Sequence, residues 1–206
     1  MTIKGIPFYK IFHSMSRLKK LFFVIFSVDK GSKSWHTITI KNERKNEKMQ
    51  EFTSKDTSLN QVCKIYKNVS FPKGARILDY GGGAYDKGVE YMANKGVKVS
   101  IYDKYNRSAE HNETVLKEFE AVKPDYVVCA NVLNVIKEDF IIEEILQDIK
   151  KYGVPVFFCM YEGNRTGKGQ PTKKGYQRNE KTSQYFRFLT KFFDVVKVKN
   201  GIVECK

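Results

Sequence analysis

Two carboxylates and three glycines stand at a spacing that suits a nucleotide-like ligand. Asp79 precedes Gly81, Gly82 and Gly83, and Asp103 lies 20 residues beyond the last of them. A carboxylate just before a glycine turn repels a pyrophosphate and suits a cationic or amine-bearing group. A second carboxylate, at the end of the next strand, can accept hydrogen bonds from both hydroxyls of a ribose, at about 1.5–3 kcal/mol per charged hydrogen bond. Successive glycines tolerate positive φ and let a ligand lie against the backbone. A dinucleotide fingerprint, G-x-G-x-x-G, would take its first two glycines from Gly81 and Gly83, but Asp86 occupies the third position. That residue counts against a nicotinamide-dependent protein. Asp86 is placed instead to cap the following helix or to touch a ligand amine.

Such residues need a strand, a turn and a helix to hold them. Residues 75–80 read as a short buried strand, with Ile77 and Leu78 apolar and Pro72 and Gly74 punctuating the entry. From about Tyr85 the pattern becomes helical over 85–95, with Val89, Met92 and Ala93 on one side. A second strand over 97–102 ends at Asp103, and a helix over 108–119 follows. A third strand is hard to find, because only 119–122 is available. Then come a strand at 126–130, a helix at 138–151 with Phe140, Ile141, Ile145, Leu146 and Ile149 inward, and a strand at 154–160. Strands alternating with helices predict a parallel sheet. A helix over 181–189 precedes two strands, 193–199 and 202–205, joined at Asn200-Gly201, which is a strong hairpin turn signal. Before the first core strand, 58–66 predicts a helix capped by Thr57 or Ser58, with Leu59, Val62, Cys63 and Tyr66 apolar.

On these residues the sequence resembles the class I S-adenosylmethionine-dependent methyltransferases. Their acid-x-G-x-G motif is matched by Asp79, Gly81 and Gly83, though Tyr85 stands where a third glycine is often found. Their strand-two acid is matched by Asp103. Their fourth motif corresponds to PDYVVCANVLNVI at 124–136. This stretch, with YDKYNR at 102–107, is similar to small methyltransferases associated with DNA phosphorothioation and to phage relatives. The resemblance covers roughly 75–205. It implies an α/β, Rossmann-like methyltransferase sheet, mostly parallel with a C-terminal antiparallel hairpin and helices on both faces. It also implies S-adenosylmethionine as cofactor, held by Asp79, Tyr80, Gly81, Gly82, Gly83, Asp86, Asp103, Lys104, Asn131 and Val132. In this family a helix just before strand one commonly covers the cofactor, and 58–66 is the segment so placed.

The composition bounds the partners. The chain carries a net charge of +14 over 206 residues. Residues 1–70 hold 14 Lys and Arg against 5 Asp and Glu, 71–160 hold 12 against 14, and 161–206 hold 11 against 4. A near-neutral core with basic flanks suits a polyanionic partner, DNA or RNA. We read 71–206 as the methyltransferase domain and 1–70 as a basic, aromatic-rich extension packing on it. Within the extension, Phe8, Ile11, Phe12, Met15, Leu18, Leu21 and Phe22 recur at helical spacing, WHTITI at 35–40 alternates like a strand, and KNERKNEK at 41–48 reads as a solvated linker or helix face. LFFVIFSV at 21–28 is far shorter than the ~20 residues of a membrane span, so a docking helix or strand is expected there. The four cysteines are isolated, with Cys129 and Cys159 in apolar strands, and the three histidines show no ligand spacing, so no metal site is expected. A reducing cytoplasm fits the cysteine usage.

On the substrate side, residues 161–180 form a long, cation- and glycine-rich stretch. Arg165, Lys168, Lys173, Lys174, Tyr176 and Arg178 are the candidate acceptor-binding residues, suited to tracking phosphates and stacking a base. Gly163 to Gly169, GNRTGKG, is not a Walker A motif, being one residue short and lacking the Ser or Thr after Lys168. After the fourth strand the prolines of amino-directed DNA methyltransferases are missing, and Cys129 is followed by Ala130 rather than preceded by proline. No catalytic base is evident. A competing reading is therefore a non-catalytic Rossmann-like module that binds DNA or a protein partner.

Overall fold

The computed structural model describes residues 22–29, 32–39 and 58–206. The chain divides into two units, 1–47 and 48–206. In the first unit β1 (Phe22–Asp29) pairs antiparallel with β2 (Ser32–Thr39), from Phe22 opposite Thr39 to Asp29 opposite Ser32. The strand reading of 35–40 thus holds over 35–39, and residue 40 lies outside the described residues. The helical spacing read through Leu21 and Phe22 gives way to a strand at Phe22, as consecutive apolar and β-branched residues favour. The expected helix over the earlier aromatics and the linker at 41–48 lie outside the described residues.

The second unit is a Rossmann-like α/β fold around a six-stranded sheet. Its strands are β3 (Arg76–Tyr80), β4 (Lys98–Tyr102), β5 (Tyr126–Ala130), β6 (Val156–Cys159), β9 (Val195–Lys199) and β10 (Ile202–Cys205), in the order β4-β3-β5-β6-β10-β9. The first four are mutually parallel, and β10 runs antiparallel between β6 and β9. Asn200 and Gly201 both take positive φ, 52° and 69°, as a tight hairpin turn requires. The helices are α1 (Lys64–Asn68), α2 (Lys87–Ala93), α3 (Ala109–Ala121), α4 (Asp139–Lys150) and α5 (Phe186–Leu189). One core layer joins Ile65, Tyr66 and Met92 of α1 and α2 to Ile77, Val99 and Val128. The opposite layer joins Val115 and Phe119 of α3, Leu146 of α4 and Phe188 of α5 to Leu78, Val127 and Phe158. Alternation along each strand thus feeds both faces.

The unfound third strand is absent among the described residues. Residues 119–121 finish α3, and a single crossover carries the chain from β4 back to β5. A right-handed crossover that reverses direction must lie on the opposite face from the one before it, which is why α3 packs with α4 and not with α2. The reversal makes a switch point between β3 and β5, where open α/β sheets bind ligands. It also leaves β4 at the edge. His111 Nε2 meets the Ile101 carbonyl at 2.8 Å, and Glu118 ties Lys98, Ser100 and Arg76 together beside it.

Several elements differ in extent from expectation. The helix predicted over 58–66 is only Lys64–Asn68, with Cys63 at its N-cap, and Ser58 is not a cap. This α1 buries Ile65 and Tyr66 in the second unit. Phe140 is exposed, while Ile142 of the same helix is buried in its stead. Residues 161–180 are not one structureless loop, since β7 (Gln170–Thr172) and β8 (Gly175–Gln177) pair within them. The helix expected over 181–189 is a 3-10 turn, Thr182–Tyr185, running into α5.

Candidate functional site

A crevice of about 630 Å³ lies over the carboxyl ends of β3, β4 and β5. Asp79, Tyr80, Gly81, Gly82, Gly83, Asp103, Lys104, Asn131 and Val132 all line it. Nine of the ten expected cofactor residues therefore share one cleft. Asp86 does not line it. It occupies the N-cap position of α2 without a side-chain cap bond, and its carboxylate pairs with Arg107 Nη2 at 2.7 Å.

Asp79 is the chemical centre. It is buried, and its Oδ2 accepts a hydrogen bond from the Tyr66 hydroxyl at 2.7 Å. Its Oδ1 is buried without a partner. Burial pushes the carboxyl up to about 6, against the Tyr66 hydrogen bond that lowers it, with Asp103 raising it further. An orphaned buried carboxylate oxygen costs about 1–3 kcal/mol or more. A ligand ammonium placed there would remove that cost and stabilise the ionised form.

Asp103 serves the glycine turn directly. Oδ2 accepts from the Gly83 N–H at 2.9 Å, while Oδ1 accepts from the N–H groups of Tyr105 and Asn106 and from Asn106 Nδ2. Each carboxylate oxygen has about two acceptor positions; Oδ1 is crowded by three donors, while Oδ2, with one, keeps a position for a ligand hydroxyl. Arg107, which sequence reasoning passed over, braces the turn from behind. Its Nε donates to the Gly83 carbonyl at 2.9 Å while Nη2 holds Asp86. Asn112 on α3 fastens Asp103 by accepting its backbone N–H and donating to its carbonyl.

The turn strongly favours glycine. Gly81 and Gly83 both have φ of +82°. A Cβ on Gly81 would lie 2.4 Å from Val132 Cγ2, and one on Gly83 would lie 2.4 Å from Ser58 Oγ. Ser58 Oγ accepts from the Ala84 N–H at 2.9 Å, so the segment before α1 is pinned across the turn without being helical. Gly81→Ala is expected to lower stability by about 1–3 kcal/mol through the strained φ. Thermal denaturation reads this directly. An unchanged melting temperature would mean that Val132 and the turn relax freely.

Cys63, Lys64 and Lys67 line the crevice on the α1 side, and Ile141, Glu144, Ile145 and Asp148 of α4 also line it. Burial, then Asp79, pushes the Cys63 thiol up to about 12, so it is no thiolate. Burial likewise holds Cys129 protonated inside β5. Asn131 has φ of +58°; its N–H donates to the Cys159 carbonyl and its amide is exposed in the crevice. Asn134 is buried, and its Nδ2 donates to Gln177 Oε1 rather than to nearby backbone.

None of the six expected acceptor residues lines the crevice. Arg165 is exposed and pairs with Glu162. Lys168, Lys173 and Lys174 are exposed, and the Tyr176 hydroxyl lies over Gly169. Arg178 is buried and structural. Its Nη1 donates to the carbonyls of Ile136 and Lys137, and its Nη2 reaches Asp139 at 2.6 Å and Glu180 at 3.2 Å. Spacing within a basic stretch carries no sign of which cation is buried. The acid two residues on, Glu180, was the available clue. Among the described residues no group of three or more His, Cys, Asp or Glu could hold a metal ion, and no helix is long and apolar enough to cross a membrane.

No family model matches the sequence, and no curated protein does. Among solved structures, the chain is similar to a SAM-dependent methyltransferase from Aquifex aeolicus, with a TM-score of 0.48 and 15% identity over 74% of this chain and 96% of that one. It is also similar to coclaurine N-methyltransferase bound to N-methylheliamine and SAH, with a TM-score of 0.42 and 13% identity over 65% and 48% of the two chains. A third is Haemonchus contortus phospholethanolamine N-methyltransferase 2 in complex with phosphomonomethylethanolamine and S-adenosylhomocysteine, with a TM-score of 0.41 and 21% identity over 63% and 35%. The chain thus spans about half and a third of the latter two. These are likenesses of chain path, and the residues of the crevice carry the functional reading.

Proposed function

We propose that this protein is an S-adenosylmethionine-dependent methyltransferase. The observation that carries the reading is the unpartnered, buried Oδ1 of Asp79 beside a glycine turn that any Cβ would close, with Asp103 one strand away. Such a cradle suits a ligand with an ammonium at one end and a ribose in the middle. Asp79 would take the ammonium, Gly81 to Gly83 would admit the chain beside it, and the free position on Asp103 Oδ2 would accept one ribose hydroxyl. The cofactor supplies a methyl group on a sulfonium, whose departure as a neutral thioether needs no acid from the protein. The work left to this chain is to hold the two reactants in line and exclude water, which is worth up to about 7–11 kcal/mol of barrier. The lack of an evident catalytic base is consistent with that chemistry.

Calorimetric titration with S-adenosylmethionine, S-adenosylhomocysteine and NAD in parallel tests the reading. Micromolar binding of the first two, with none of NAD, is the expected result. Binding of none would instead favour a non-catalytic module, a reading supported by how fully Asp103 is already engaged by the turn itself.

A further inference from the structure

We infer that the surface built by Tyr161 and the β7–β8 hairpin binds single-stranded nucleic acid, with Tyr161 as a base-stacking platform and the hairpin lysines as a phosphate track. Sequence spacing pointed to Tyr176 for stacking, but its hydroxyl is packed over Gly169 and its ring is half-buried. Tyr161, in the same stretch as Tyr176, is 64% exposed. It stands two residues beyond Cys159, whose carbonyl accepts the N–H of Asn131 in the crevice at 2.7 Å. Its own carbonyl accepts from Gln177 Nε2 of β8 at 2.9 Å. The Tyr161 backbone is therefore tied directly to the hairpin.

The same stretch and its flank carry exposed cations on a bonded backbone. Lys168, Lys173, Lys174 and Lys181 are exposed, and among the described residues no carboxylate pairs with any of them. A run of solvating lysines on a mobile loop would look the same in sequence. Here the backbone beneath them is fastened. Asn179 accepts the Asn164 N–H at its Oδ1 and donates from Nδ2 to the Lys168 carbonyl, and the Gly167 N–H donates to the Asn179 carbonyl. Exposed cations on a bonded backbone, with an exposed aromatic in the same stretch, match the two needs of a single strand: charge along the backbone and a face for an unstacked base. A duplex offers no free base face, so the exposed ring favours the single strand. Only the role of this surface as the acceptor site rests on the methyl-transfer reading; binding itself does not.

The test is fluorescence anisotropy of the full chain with a labelled single-stranded oligonucleotide of about 16 nucleotides, titrated across a salt series. Tyr161→Ala should weaken binding about 5- to 150-fold with the salt slope unchanged, and Tyr161→Phe should retain it. Lys173→Gln with Lys174→Gln should reduce the slope by about 1.4. Lys73→Gln with Lys123→Gln removes the same charge at the amino end of the sheet and should leave the slope unchanged. The inference is overturned if Tyr161→Ala binds as wild type, if the two lysine pairs act alike, or if heparin or duplex competes as well as the single strand. S-adenosylhomocysteine titration of the same variants keeps the two readings apart. Loss of strand binding with cofactor binding intact locates the effect at this surface.

Discussion

Asp79→Asn is expected to weaken S-adenosylhomocysteine binding about 10- to 150-fold and, in the same protein, to raise the melting temperature at pH 8. Both effects come from one unpaired oxygen. The ligand loses a charge-assisted hydrogen bond, while the unliganded protein loses a buried carboxylate with half its acceptors unmet. The sign follows from burial, which raises the carboxyl from 3.8 to about 6. Between those values the folded protein holds a proton that the unfolded chain has released, so stability falls as pH rises through that window. The cost is fully present above about pH 6 and is on the order of 3 kcal/mol. An amide removes it, for a gain of up to about 6–12 °C. Melts at pH 5 and pH 8 on both proteins read the difference, which should shrink at the lower pH. Wild-type affinity in the variant would remove Asp79 from the site. A lower melting temperature at pH 8 would show the carboxylate to be a net stabiliser.

Arg178→Met is expected to destabilise the fold by about 3 kcal/mol or more while leaving cofactor affinity of the folded protein unchanged. The guanidinium holds two carbonyls after β5, the start of α4 and the Glu180 carboxylate at once. Removing it leaves Glu180, itself only 9% exposed, with Arg187 alone. Urea denaturation measures the loss. Lys173→Gln, a few residues away and exposed, should stay within about 0.5 kcal/mol. Equal effects at the two positions would mean that Arg178 is not the hub its contacts describe.

The sheet was legible because its strands are short apolar runs between glycines and polar turns, and because Asn200-Gly201 names its own hairpin. The crevice was legible for a similar reason: the glycine turn and the two acids are local in sequence, and local geometry follows from them. What sequence concealed was tertiary. Nothing in the spacing showed that Ser58 would bridge to Ala84 instead of capping a helix, that Arg107 would brace Gly83, or that Asp103 would spend most of its acceptors on backbone. Arg178 and Lys174 look alike in a basic stretch, and only packing separates the buried cation from the free one. The third strand was invisible because α3 occupies its residues.

The strand order has a consequence for how this protein is made. β10 follows every other strand of the sheet in synthesis, yet it lies between β6 and β9. On the ribosome, β3 to β6 can pair as soon as they emerge, but β9 must wait without a partner. Until residues 202–205 arrive, β6 presents an open edge and the places of Val203 and Cys205, both fully buried in the finished core, stand empty. The nascent chain thus passes through a stage with exposed apolar surface and an unpaired strand edge, the combination that chaperones guard. At about 5–20 residues per second that stage is short, and it ends with the insertion of an interior strand.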